Sequence, residues 1–552
     1  MNVGRISSRA TIGGSKSKLF QGAAVSGATL ALCIMPIAWS GARAATFTLN
    51  DGITVTLQTT LDYTGGIRTA PVDSQIATLN TDDGDRNFRS GVMANRLQTL
   101  EQLNVRDGDY GLRASAFAWL DTVYLQNSKN NSPNTFNSYG IGTKGFPSQT
   151  VANEGRRIEP LALFLYGTEY FDGGEQNLKW QIGRQTITWG EALFSLDGIS
   201  GLQAPVDAYE GSLLPNPQAQ ALFLPTGAVS LNYNFGDGNS VAAYWQFEYE
   251  ADILPGVGSY FSPADIVGPG AQRILASPID EGAASLYRAP DITPANGLDQ
   301  FGVSAHTRIG QYGIGAYFVR GIPKGPNVYV NAFARSSYKE TPTGLSVGQY
   351  NLAYAQPVNA YALSFTALAF GNANVTGEIS GRTNQPLVGS ESLYTSSTPA
   401  SYNHPLYPIG DVLDAQLSMI DLTPPLPLMP NGTSIAAELT MNKVLTVTRN
   451  RENLEPGRTA QGASFEITFE PSYYPLPNLE VEFPIGWTTA FYGKSQYDST
   501  ENAGTGTIDV GITGVYRSVW TMGLNYQRYY GSASGEPYLD RDFATLFLQY
   551  SF

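Results

Sequence analysis

One cysteine and two histidines are all the thiol and imidazole that 552 residues provide. The cysteine, Cys33, lies in an apolar stretch that reads as part of an export signal, so the exported chain has no disulfide or thiolate site. Basic residues are scarce beside acidic ones, 33 against 47, and no nucleic-acid partner is expected of so acidic a chain. Beyond residue 44 there is no uninterrupted apolar run of about 18 residues, which excludes a transmembrane helix there. Phosphate loops and dinucleotide fingerprints are missing too, so no cofactor is expected.

The amino terminus sets the compartment. Residues 1–44 contain Arg5, Arg9, Lys16, Lys18 and Arg43 and no acidic residue. The stretch GAAVSGATLALCIMPIAW and then Ala42-Arg43-Ala44 complete the pattern of a secretory signal peptide, 1–44, cleaved after Ala44. Pro36 and the small-residue exit argue against a retained anchor, and Leu32 before Cys33 argues against lipidation. What remains, 45–552, holds 28 basic and 47 acidic residues, a net charge of −19. That length suits several soluble domains or one large barrel.

What the chain has in quantity is glycine and aromatics: 59 Gly, 32 Tyr and 25 Phe. Apolar and polar residues alternate in segment after segment, the period-two signature of strands with unlike faces. ITVTLQTTLDY puts Ile53, Val55, Leu57, Leu61 and Tyr63 on one face. YGLRASAFAWL sets Leu112, Ala114, Ala116 and Ala118 against Arg113, Ser115, Phe117 and Trp119. SVAAYWQFEYE sets Val241, Ala243, Trp245 and Phe247 against Tyr244, Gln246 and Glu248. The last strand, LFLQYSF, runs to the carboxyl terminus, with Leu546, Leu548, Tyr550 and Phe552 on one face and Phe547 as the exception on the other. Such a strand needs a partner to keep it from fraying.

The connections alternate in length. Tight turns such as Asp107-Gly108, Gly236-Asp237-Gly238-Asn239, Gly310-Gln311 and Arg517-Ser518 are hairpin signals. Long joints fall at about 64–94, 126–159, 189–224, 251–299, 322–357, 385–411, 444–462 and 491–505, and read as poor in structure. A compact soluble sandwich accounts for the alternation but not for this asymmetry. The expected fold is all-β: a single transmembrane antiparallel β-barrel of about 16–18 strands, with short periplasmic turns and long extracellular loops. Its first and last strands would pair, leaving no edge.

One stretch is dense with unusual choices, KWQIGRQTITWGEALFSLDGISGLQAPVD, from Lys179 to Asp207. It leaves a strand at Arg184-Gln185 and enters a long loop at Trp189-Gly190-Glu191. Arg184 and Glu191 are expected to pair and pin this loop inside the lumen, where a low dielectric strengthens the attraction. Trp189 and Phe194 would then touch an apolar solute, or the loop would be a structural latch. Phe117, Trp119 and Tyr244, facing inward, suggest a greasy or plugged lumen, although they also suit plain packing. Ser304 and His306 share an inward face and invite an acyl-transfer reading, but no orienting acid accompanies them, and the expectation is a non-enzyme. Asp83, Asp85 and Asn87 have the spacing that opens a calcium loop, yet Phe88 replaces its glycine and Ala94 its bidentate glutamate. They read as a solvated acidic loop.

Seven pieces in order carry a family resemblance: TTLDYTGGIRT, DDGDRNF, YGLRASAFAWLDTVY, IGRQTITWGE, GISGLQAPVD, GSYFSPADIVGPGA and DRDFATLFLQYSF. With them the chain resembles the proteobacterial outer-membrane family known as domain of unknown function 1302. Ser200 departs from the asparagine expected after Gly198-Ile199. The resemblance implies an outer-membrane barrel among outer-membrane lipids, delivered by the barrel-assembly machinery that reads the aromatic carboxyl end. It also implies a periplasmic carrier-like lipoprotein and an inner-membrane exporter-like pump as partners, beside catabolic pathways for hydrophobic compounds. Asp540, Arg541 and Asp542, in the last piece, join Arg184, Gln185, Trp189, Glu191, Phe117 and Trp119 as candidate latch or lumen residues. The leading expectation is movement of a hydrophobic or amphipathic small molecule. A docking platform without an open path, and a lipid hydrolase, are its alternatives.

Overall fold

The computed structural model describes residues 45–49, 52–213, 219–369, 371, 373–390, 392–394 and 401–552. The expected signal peptide lies outside the described residues. Eighteen strands form one antiparallel barrel. They are β1 (Thr54–Arg68), β2 (Gly91–Asp107), β3 (Tyr110–Asp121), β4 (Arg156–Phe171), β5 (Gln176–Gln185) and β6 (Thr226–Gly236). Next come β7 (Asn239–Gln246), β8 (Gln300–Ile309), β9 (Tyr312–Gly321), β10 (Val358–Ala369), β11 (Ala373–Pro386) and β12 (Ile409–Leu422). The rest are β13 (Thr433–Arg449), β14 (Gln461–Leu476), β15 (Leu479–Glu482 resuming as Ile485–Tyr492), β16 (Thr505–Tyr516), β17 (Trp520–Tyr530) and β18 (Phe543–Ser551). Pro484 falls in the break of β15, because proline cannot donate to a ladder.

Closure is made by β1 and β18, in register from Thr60 opposite Ser551 to Arg68 opposite Phe543. Phe552 extends it, donating from its N–H to the Thr59 carbonyl at 2.9 Å and accepting from the Thr59 N–H at 2.8 Å. The last strand is thereby paired along both of its edges, with β1 and with β17, as a lipid setting requires. At the short-turn end, Trp520 stacks on Tyr550 with centroids 4.3 Å apart, and Tyr550 meets Phe552 at 5.1 Å.

The two faces follow the alternation. Outward lie Leu57, Tyr63, Leu97, Trp245, Leu546 and Leu548, all substantially exposed, while Thr60, Asp62, Arg96, Gln98, Tyr244 and Gln246 are buried on the inside. Phe547 breaks the row by pointing inward. It fits because its partner Gly523 has no side chain, and a Cβ there would come within 2.9 Å of the Phe547 ring. At the Arg517-Ser518 turn both residues adopt positive φ, 54° and 57°, the twist that a two-residue hairpin demands.

The other rim differs from expectation. The long joints are not structure-poor: three of them build a second, six-stranded sheet. Its centre is Gly344–Tyr354, paired antiparallel with Pro326–Ala332 and parallel with Ser285–Arg288. Val328, Tyr350 and Leu352 bury against Leu254, Ile266 and Val267 of the 247–299 loop. Alternation in NVYVNA and in SVGQYNLAY was available in the sequence, but short strands within a loop compete with turn residues around them, and only the packing decides. A further long connection, 531–542, also escaped the expected set.

Candidate functional site

The described residues of the loop 186–225 turn into the barrel and reach both of its walls. Its first part lies against β6 to β10, where Ile187, Ile199 and Leu202 bury against Ala228, Tyr244, Tyr317, Val319 and Ala360. Trp189 meets Tyr244 edge-on at 4.8 Å, and its N–H donates to the Gln203 side chain at 2.5 Å. Two carboxylates on the far wall then hold the loop backbone. Glu378 on β11 accepts from the N–H of Glu191 at 3.1 Å and of Ile199 at 2.7 Å. Glu438 on β13 accepts from Leu193 at 2.5 Å, Phe194 at 3.2 Å and Ser195 at 2.6 Å. Arg382 on β11 completes the clamp by donating to the carbonyl of Asp197 at 2.6 Å and to that of Gly198. The contacts of these charged groups to the loop are to backbone N–H and carbonyl groups, charge-assisted bonds that carry no side-chain signature in the sequence.

The loop then returns to the opposite wall. Asp207 caps a short helix, Ala208–Leu213, by accepting from the N–H of Tyr209 at 3.1 Å and of Glu210 at 3.0 Å. Glu210 pairs with Arg96 of β2, both fully buried. The Arg96 guanidinium lies 4.6 Å from the Trp119 ring centroid, a cation–π contact strengthened by the dry surroundings.

The expected Arg184–Glu191 pair does not form. Arg184 follows Ile182 on the outward face of β5 and binds Glu248 and Glu250, each at 2.8 Å, beyond the end of β7. Glu191 is on the loop inside, so the barrel wall stands between them. Burial, and then the neighbouring Glu378 carboxylate, push the Glu191 carboxyl up. Gln185, next to Arg184, faces inward and donates to the Ala228 carbonyl at 3.0 Å. Phe117 and Trp119 do point inward, but they pack with Leu100, Leu161, Ala221 and Leu224. They seat the loop on the wall instead of lining a path.

Asp540, Arg541 and Asp542 form a latch at the long-loop rim. Arg541, wholly buried, grips Asp85 through two donors at 2.6 and 2.9 Å. Arg68 joins Asp85 at 2.9 Å and Asp540 at 3.0 Å. Asp542 accepts from the Tyr529 N–H at 2.9 Å. The stretch read as a solvated acidic loop is therefore corrected: Asp83, Asp85 and Asn87 are all buried, in a turn of helix Asp83–Asn87 preceded by the equally buried Asp82. Burial opposes ionisation of Asp85, but Arg541 and Arg68 outweigh it and hold the carboxyl below its ordinary range. Arginines 17 and 456 residues away in sequence make the burial tolerable.

Between the inserted loop and β11 to β14 lies a chamber of about 730 Å³. Phe194, Leu254, Arg382, Lys324, Asp252 and Tyr497 line it, so its surface is part apolar and part charged. Phe194, expected to touch an apolar solute, borders this space. Ser304 and His306 share the inward face of β8, but Ser304 Oγ is buried without a hydrogen-bond partner, and His306 packs edge-on against Tyr317 at 5.2 Å. Among the described residues no hydrogen-bond partner stands ready to accept that hydroxyl's proton.

A family model described as "Protein of unknown function (DUF1302)" matches residues 26–552. No curated protein matches the chain in sequence. Among solved structures the chain is similar to the outer membrane channel DcaP of Acinetobacter baumannii, with 11% identity, 92% of this chain and 100% of that chain covered, and a TM-score of 0.38. It is similar to OccAB4 of the same organism at 7% identity, with 90% and 98% covered and a TM-score of 0.43. OmpF of Salmonella typhi, in complex with daunomycin, aligns at 8% identity over 92% and 100% of the two chains, with a TM-score of 0.38.

Proposed function

This chain belongs to the family of proteins of unknown function DUF1302, and from its geometry we propose that it is an outer-membrane channel for a small amphipathic molecule. The single observation that carries this reading is the chamber of about 730 Å³, bordered by a loop clamped across the lumen and lined by both apolar and charged side chains. Eighteen strands leave room for an aqueous lumen, and the clamped loop reduces that room to a selective space. A solute with an apolar body and one charged or polar end matches a lining that combines Phe194 and Leu254 with Arg382, Lys324 and Asp252. The outward apolar belt, the terminal aromatics and the short-turn/long-loop asymmetry support a bacterial outer-membrane location. A periplasmic lipoprotein and an inner-membrane pump, expected from the family resemblance, would take the solute onward under this proposal.

The platform reading keeps one specific support: the loop is anchored on both walls, by Glu378 and Glu438 on one and Arg96 on the other. Proteoliposome uptake separates the two. The channel reading expects flux of amphipathic aromatic or alkyl acids and amines above that of equally large sugars, and a changed preference in Phe194→Glu. Impermeability to every solute, in the parent and in a variant whose loop anchors are cut, would establish the platform instead.

A further inference from the structure

We propose that Asp82, Asp83 and Asp265 bind a divalent cation, calcium by its chemistry, at the junction of the long loops above the barrel. The proposal is independent of any transport role. One carboxylate oxygen from each of the three lies within 4.8 Å of the others, the widest separation of two oxygens sharing one ion at about 2.4 Å. All three residues are buried, at no more than 1% exposure.

The compensation that buried carboxylates require is only partial here. Asp85, two positions on, has Arg541 and Arg68. Asp82 has only Arg86, at 3.0 Å and partly in solvent. Among the described residues Asp83 and Asp265 form no ion pair. Arg273, buried nearby, directs its donors to the carbonyls of Asn137, Thr343 and Phe136. The donors that do reach the trio are few: Thr135 to Asp82, the N–H of Asn137 and the amide of Asn130 to Asp83, and the N–H of Asp83 to Asp265.

A separate observation points to a ligand. Asp82 Oδ1 and Asp265 Oδ1 are buried and have no hydrogen-bond partner, and Asn137 Oδ1 and Asn87 Oδ1, on residues adjoining the trio, are in the same condition. Asn137 is correctly oriented as it stands, since its Nδ2 already donates to Asn80 Oδ1 and the Arg273 carbonyl. Four buried acceptor oxygens without donors, in a setting of uncompensated negative charge, form an environment short of positive charge and rich in hard oxygen ligands. Calcium takes six to eight such oxygens from carboxylates and amide carbonyls in flexible geometry. The motif differs from the spaced calcium loop the sequence hints at, because Asp85 goes to arginine and Asp265 arrives from 182 residues away. Bound there, the ion would tie the 69–90, 122–155 and 247–299 loops together. Thr81 and Ala264, each next to a ligand, line the chamber, so the tie would stiffen its wall.

The test uses the full-length protein, purified in detergent free of lipopolysaccharide and stripped with EGTA. Calcium is titrated by calorimetry, and terbium by its sensitised luminescence, with the thermal unfolding midpoint read in EGTA and in calcium. The proposal expects one saturable site, a higher midpoint in calcium, and loss of both in Asp265→Asn and Asp83→Asn, while Asp421→Asn on the short-turn side behaves as the parent. If the parent binds neither ion and unfolds identically in EGTA and calcium, the proposal is overturned and the carboxyls are held by shared protons. The parent measurements decide this even where a variant fails to assemble. A calcium response that persists undiminished in folded Asp265→Asn would overturn the assignment as well.

Discussion

Replacing Glu438 with glutamine removes one of the two clamps on the lumen loop while leaving the β13 ladder intact. The carboxylate accepts at one oxygen from Phe194 and Ser195, and at the other from Leu193 and from the Ser418 hydroxyl at 2.7 Å. An amide in its place turns an NH₂ toward donors whichever way it lies. At least one bond to a backbone N–H is lost, and the others lose their charge assistance. Hydrogen bonds to charged groups contribute about 1.5–3 kcal/mol each, so a loss of about 3 kcal/mol is expected, roughly a hundredfold in the ratio of clamped to released loop. The Glu378 contacts to Glu191 and Ile199 and the Arg382 contact to the Asp197 carbonyl remain, so release is confined to residues near 193–196. Single-channel recording in planar bilayers should show larger and noisier conductance than the parent. Chymotrypsin, added on the loop side, should cut at Phe194, which the parent buries. Unchanged conductance together with continued protection of Phe194 would refute the view that Glu438 restrains the loop, and with it the idea that this loop sets the width of the path.

Three further outcomes are expected. Burial lowers the Lys324 ammonium to about 7 and raises the Asp252 carboxyl to about 6. Above about pH 7 this pair therefore carries one negative charge, and below about pH 6 one positive charge, so reversal potentials in a salt gradient should shift toward anion preference on acidification; Lys324→Met should abolish much of that shift. Deleting Phe552 removes both hydrogen bonds to Thr59 at the closing seam and should reduce the heat-modifiable barrel in membrane fractions, whereas equal levels would show that closure does not depend on the terminal residue. Phe247→Arg, at the outward rim, should cost more assembly than Gln246→Arg, with a penalty of up to about 2–4 kcal/mol for an outward arginine set at bilayer depth; cysteine labelling that found Gln246 facing lipid would put the β7 register out by one.

The barrel itself was legible from residue order. Period-two alternation, tight turns such as Asp237-Gly238 and the aromatic end are local properties, and a strand pair with one lipid face leaves them little choice. Hence a strand number within 16–18, closure and the inward placement of Phe117, Trp119, Tyr244 and Gln246 follow from the sequence, and even Phe547 appeared there as an exception in need of a reason. The same reading identified the loop after β5 as unusual but mispaired Arg184, because a one-residue step between Arg184 and Gln185 moves a side chain across the wall. What only the tertiary structure decided is which distant groups meet inside. Glu378 and Glu438 hold loop backbone, which has no side-chain signature; Arg96 meets Glu210, and Arg541 meets Asp85, across 114 and 456 residues. Local periodicity determines the face on which a residue lies, but the low-dielectric interior determines which charges must find one another, and that depends on the path of loops that no local pattern encodes.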